Sequence, residues 1–148
     1  MNKNGFLLAE ETLKIILAVI AIGFLAYLLF SLYQSAKDSK NFELAKESLQ
    51  FLTSEINSGK TKVDIYNPDS WHISTWSSLA GPKTCSNLGW EWCICICKES
   101  TAESCDENGI CLNNEKRLTT LDFKSIKIEE PPITLDLNYE TRKISLEQ

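Results

Sequence analysis

The sequence predicts an α+β protein in which one long N-terminal helix, apolar in its first half and amphipathic in its second, carries a small antiparallel β head stapled by disulfides. Three observations lead there. Ile15 to Phe30 is almost unbroken hydrocarbon, followed by Phe42, Ala45, Leu49, Leu52 and Ile56 at spacings of three and four. After Gly59 the apolar period changes from helical to alternating. All six cysteines fall between Cys85 and Cys111, an even set that reads as a disulfide framework in a chain leaving the cell.

Residues 1–5 are a short leader containing Lys3. If the chain is cut between Gly5 and Phe6, Glu10 becomes the fifth residue of what remains. Glu10 and Glu11 precede the apolar run and no A-x-A pattern follows it, so the segment departs from a conventional secretory signal and the helix stays attached. Residues 6–34 supply about twenty apolar positions, the length a helix needs to cross a bilayer. The string Gly5-Phe6-Leu7-Leu8-Ala9-Glu10 with its apolar run resembles the class III signal peptide and N-terminal helix of type IV pilins, the archaeal branch more than the bacterial. The resemblance covers residues 1–35 and no motif beyond them.

Several expectations follow from that resemblance. A membrane prepilin peptidase would cut at Gly5, and an assembly ATPase with a membrane platform protein would build a filament from copies of this chain. The bilayer would hold the precursor, and the product would be an extracellular filament for adhesion or motility. In pilins the glutamate equivalent to Glu10 neutralises the new N-terminal amine of a neighbouring subunit, which here would belong to Phe6. The residues allow another pairing, since Lys14 stands one helical turn from Glu10 and an i,i+4 Glu-to-Lys pair is worth a few tenths of a kcal/mol when exposed. Glu11 is a second carboxylate for the same lysine. A carboxylate in hydrocarbon requires a partner in either case. A donor at one end of a subunit and an acceptor further along the next form a heterologous contact, which propagates into open helical arrays when the rotation does not close a ring.

Small residues at Ala18, Ala21, Gly23 and Ala26 allow close helix approach, although ordinary membrane helices carry them too. No proline interrupts the run, which predicts a helix with little kink. Residues 35–59 continue as an amphipathic helix, with Glu43, Lys46, Glu47 and Gln50 off the apolar stripe and Gly59 at the position of a left-handed C-terminal cap. A continuous helix from Phe6 to Asn57 would be on the order of 75 Å long. The alternative is two helices with a break in the polar cluster Ser35 to Lys40.

Residues 60–148 form the head. Val63 and Ile65 mark a short strand before the turn Asn67-Pro68-Asp69, and Trp71 to Trp76 marks a second. Leu79 to Gly89 reads as loop. Trp90 to Lys98 alternates, placing Trp90, Trp92, Ile94 and Ile96 on one face and Glu91, Cys93, Cys95 and Cys97 on the other. Phe123, Ile126 and Ile128 suggest a further strand. Ile133, Leu135, Leu137 and Tyr139, then Ile144 and Leu146 across a polar turn, make a terminal hairpin packed by one face on the helix. Cysteines at i and i+2 of one strand sit roughly 6.5 Å apart without facing each other. Cys93, Cys95 and Cys97 should therefore each join one of Cys85, Cys105 and Cys111, which leaves six arrangements open. A thiolate metal site is the rival reading, but its usual C-x2-C pairs are missing, so no metal or other cofactor is expected.

Other functions are weakly supported. A formal charge of -5 and pI near 4.9 argue against nucleic acid, whose binders carry clustered Lys and Arg. His72, the only histidine, has no nucleophile or metal partner in sequence, so no catalytic residue is expected and the chain does not read as an enzyme. Asp106-Glu107-Asn108-Gly109 lacks EF-hand spacing and reads as a turn. Trp71, Trp76, Trp90 and Trp92 offer an aromatic adhesion surface or ordinary core. No asparagine starts an N-x-Ser/Thr sequon. The sequence thus favours a filament subunit. The alternatives are an unpolymerised single-pass membrane-anchored binding domain and a minor pilin or pseudopilin of a secretion machine.

Overall fold

The computed structural model describes the backbone of residues 3–120 and 124–147, and side chains from residue 11 onward within those ranges. The chain forms two compact units, Met1–Ser39 and Lys40–Gln148. The α1 helix, Lys3–Asn57, runs without interruption through Gly23 and through the polar cluster Ser35–Lys40, where a break was the alternative. An isolated glycine costs about 1 kcal/mol in a helix interior, which neighbouring good helix formers such as Leu25, Ala26 and Ala21 offset.

In the first unit every described side chain is exposed. Ile22 is 67% exposed and Leu29 70%, so among the described residues nothing removes them from solvent.

In the second unit the same helix buries a narrow stripe: Ala45, Leu49 and Leu52 are fully buried and Ile56 nearly so. Phe42, expected on that stripe, is instead exposed, because it lies one turn beyond the first buried position. The helix ends where Gly59 adopts φ +80°. Gly59 N–H donates to the Ile56 carbonyl at 3.1 Å and Lys60 N–H to Glu55 at 3.2 Å, the paired bonds of a Schellman cap. The Tyr139 hydroxyl adds a further tie, reaching the carbonyls of Ile56 at 3.1 Å and Lys60 at 2.6 Å. The hydroxyl thereby ties the terminal hairpin to the end of α1 and to the chain just beyond its cap.

Two four-stranded sheets complete this unit, where a single small antiparallel sheet was expected. One contains β1 (Lys62–Ile65), β7 (Ile133–Asn138), β8 (Lys143–Leu146) and β5 (Thr119–Thr120), in that order. It is mixed, since β5 pairs with β8 in parallel while β1·β7 and β7·β8 are antiparallel. The other contains β4 (Gly109–Asn113), β3 (Trp92–Cys97), β2 (His72–Ser77) and β6 (Ile126–Lys127), all antiparallel. The α+β class stands, and both sheets place side chains in one core: Ile73, Ile94 and Ile96 from one, Val63, Ile65, Leu135, Leu137 and Ile144 from the other, with the α1 stripe.

Four local expectations are corrected. Leu79–Gly89 is not simply loop, because α2 (Lys83–Asn87) forms there. Asp106 accepts from Lys83 N–H at 2.8 Å and Thr84 N–H at 2.9 Å, so a carboxylate from a distant segment caps this helix. The segment between Glu99 and Gly109 holds α3 (Ala102–Asn108), started by Thr101, whose hydroxyl accepts from Ser104 N–H at 3.2 Å. Asp106 and Glu107 are therefore helical rather than a turn. Gly109 opens strand β4, which, like β5, is not among the strands expected from the sequence. Trp90 precedes the strand and packs on the cysteines, not on the Ile94 and Ile96 face, because alternation holds only within β3. Phe123, expected in a strand, lies outside the described residues.

Candidate functional site

Two features of the chain stand out as candidates: the exposed apolar part of α1 and the sulfur-stapled sheet. From Leu13 to Tyr33 the described large apolar side chains are between 39% and 70% exposed, with Leu28 the least and Leu29 the most. Burial of one Leu or Ile is worth about 1.5–3 kcal/mol, so leaving this many in water would be strongly unfavourable. The stretch is long and apolar enough to cross a membrane, and none of its most apolar window is buried. Gly23 has nothing within 4 Å of the place its Cβ would occupy, which leaves room for close approach of a neighbour. Gly5, Phe6 and Glu10 belong to α1 by backbone, and their side chains lie outside the described residues. Lys14 is an exposed residue of the same helix.

On the sheet, the three cysteines of β3 pair with Cys85, Cys111 and Cys105 respectively. Cys85–Cys93 fastens α2 to the sheet, Cys97–Cys105 fastens α3, and Cys95–Cys111 joins directly opposed residues of β3 and β4. Their Cα separations are 6.1, 4.9 and 4.1 Å. This is one of the six arrangements left open by strand geometry. Loops of this length contribute about 2–3 kcal/mol per bridge in the chain-entropy account. The bridges thus take the place of apolar packing on the outer face of the sheet, where Trp76 and Trp90 also cover them.

The sulfurs of Cys85, Cys93, Cys95 and Cys111 all lie within 4.8 Å of one another, as do those of Cys95, Cys97 and Cys105. Proximity alone would suit a metal, but each sulfur is bonded to another sulfur and offers no thiolate.

His72 sits half-buried on β2 with Nδ1 3.2 Å from the Ser125 hydroxyl. Burial, and then the Lys127 ammonium, press its pKa below the usual histidine value. The Ser125 hydroxyl is of a type that can serve as a nucleophile, whereas Lys127 contributes only its charge to the ring. A surface cavity of about 520 Å³ is lined by Asp69, Ser70, Lys127, Glu129, Glu130 and Pro131, where Lys127 and Glu129 already form an ion pair at 2.6 Å. Of the tryptophans, Trp71 is buried and the other three are half-buried, so they form no open aromatic platform.

Sequence reasoning missed the polar residues that lock the head. The Thr75 hydroxyl accepts from Thr120 N–H at 2.8 Å inside the core, and the Asn114 side chain bonds both N–H and carbonyl of Leu118. No periodicity announces such pairs, although Asn113-Asn114 is a turn signal.

Comparison with protein-family models, with curated proteins and with solved structures finds no match for this chain. Its architecture, a long N-terminal apolar helix followed by a small disulfide-bonded β head, is compatible with a pilin-like fold.

Proposed function

We propose that this chain is a structural, non-catalytic subunit of an extracellular type IV pilus-like filament, held in the bilayer by α1 before assembly. One observation carries the reading: an apolar helical segment whose described side chains are all exposed is continuous with a disulfide-stapled head. The helix must be covered by lipid or by other helices, and the disulfides suit an oxidising exterior.

In this account prepilin peptidase cuts between Gly5 and Phe6, and the freed Phe6 amine pairs with Glu10 of the adjoining copy. Inside hydrocarbon that pair has strong preference over two unpaired charges. An assembly ATPase and a membrane platform protein supply the work of extraction. Such a filament would serve attachment or motility.

Electron microscopy of cells producing the wild type and Glu10→Gln, combined with intact-mass measurement, tests this. The expected result is loss of Met1 to Gly5 from the wild type and far fewer filaments with the variant. A retained leader and no fibres would leave an unpolymerised membrane-anchored domain instead, and sparse fibres built mainly of another protein would indicate a minor pilin.

A further inference from the structure

The second unit exposes two apolar features that helix packing does not use. The first is a groove of about 290 Å³ between α1 and β1, lined by Glu47, Ser48, Phe51, Asp64, Ile65 and Tyr66. Phe51 is 49% exposed and Tyr66 57%. β1 is an edge strand of its sheet, so no further strand closes the groove.

The second is Leu79, which is 97% exposed. It crowns the turn leaving β2, in the other sheet, and that turn is firmly held. Ser78 N–H donates to the Glu91 carbonyl at 3.0 Å and Ala80 N–H to Ser77 at 3.2 Å. Gly81 lies so close to the strand that a Cβ there would come within 2.7 Å of the Trp76 Cβ and 2.9 Å of the Ser77 carbonyl oxygen. A preorganised apolar knob loses little entropy on docking. Charge also matches: exposed Lys83, whose ammonium also acts on Asp106, follows Leu79 by one turn of chain, and the groove is rimmed by exposed Glu47 and by exposed Asp64, which accepts from the Thr134 hydroxyl at 2.7 Å.

The geometry points to a head-to-head contact in which Leu79 of one copy seats between Phe51 and Tyr66 of a second copy, with Lys83 beside Glu47 and Asp64. Knob and groove are different patches of the same head, so the contact is heterologous and can pass from copy to copy. One knob covers far less than the roughly 1,200 Å² of a stable interface. It acts only between copies already gathered by their helices, where effective concentration is high. To that extent the inference rests on the filament reading and names a surface that would set the register of the heads.

The test uses the full chain in cell membranes, with photo-reactive p-benzoylphenylalanine replacing Ala80 so that Leu79 remains. The expected product is a dimer cross-linked to the peptide bearing Phe51 or Tyr66. Leu79→Asp should lower its yield about tenfold. Glu47→Lys should lower it about two- to fivefold, with recovery in the Glu47→Lys/Lys83→Glu double variant, an outcome that misfolding cannot produce. Cross-links to another part of this chain, to a different protein or to nothing overturn the contact. Microscopy of the same cells separates the two readings. Filaments without the groove cross-link overturn the contact and leave the filament. The cross-link without filaments keeps the contact and removes the filament, and absence of both overturns both.

Discussion

Leu25 and Leu49 sit on the same helix, in the same kind of local backbone, yet one is 58% exposed and the other fully buried. Residue type and helical backbone alone do not separate these two leucines. The difference is what surrounds them: Leu49 belongs to one buried cluster with Ile73, Ile94 and Leu135, whereas Leu25 belongs to no buried cluster among the described residues. Helix propensity therefore makes the rod, but stability is decided segment by segment through burial. The head stabilises itself. The first unit has the length and apolar composition of a membrane-crossing helix, with its described side chains left exposed.

The largest expected effect is reduction of all three disulfides. At about 2–3 kcal/mol each, their loss removes an amount comparable to the whole stability of a small domain. Full-length protein in detergent should lose its near-ultraviolet circular dichroism, reporting Trp71, Trp76 and Trp90, while most helical signal from the first unit persists. Simultaneous loss of both signals would mean that the two segments are not independent in this sense.

Next comes truncation of matched leucines. Leu49→Ala should destabilise the head by about 2–5 kcal/mol in chemical denaturation, as filled cores do when they lose methylenes. Leu25→Ala should leave the same transition within about 0.5 kcal/mol. Equal effects would erase the comparison.

Thr75→Val keeps the shape of a buried residue and strands the Thr120 N–H. Urea unfolding should show a loss of about 1–3 kcal/mol, the penalty of an unsatisfied buried donor. A neutral result would mean that water replaces the bond.

The smallest effect concerns acid. Burial opposes ionisation of Asp106, but hydrogen bonds from the Thr84 and Lys83 backbone and the Thr84 hydroxyl, with the Lys83 charge, outweigh it and hold its carboxyl below the usual aspartate range. A depressed folded-state pKa stabilises above the unfolded value, near pH 4, and that contribution fades as pH falls through the folded value. The site is largely open to solvent, so the effect stays below about 1 kcal/mol. Thermal melts from pH 6 to pH 2 should decline in the wild type, and Asp106→Asn should lack that part of the decline.

Much of the architecture was legible in residue order. The stripe Ala45-Leu49-Leu52-Ile56, the cap at Gly59, the division of β3 into an isoleucine face and a cysteine face, and the terminal hairpin each follow from a local period or a backbone requirement. The exposed helix was legible for the same reason, since about twenty apolar residues in a row need no tertiary information to be recognised.

What residue order left open was decided by contacts between distant segments. α2 is a helix because Asp106, 22 residues from Thr84, supplies its cap. β5 is a strand because β8 lends it a parallel neighbour, and Trp90 leaves the isoleucine face because the sulfurs offer it a packing surface. One bridge pattern out of six was selected by where α2, α3 and β4 come to rest on β3. Local sequence fixes periods and turns, which depend on neighbours along the chain. Caps from afar, sheet partners and disulfide connectivity depend on neighbours in space, and only the assembled head brings those together.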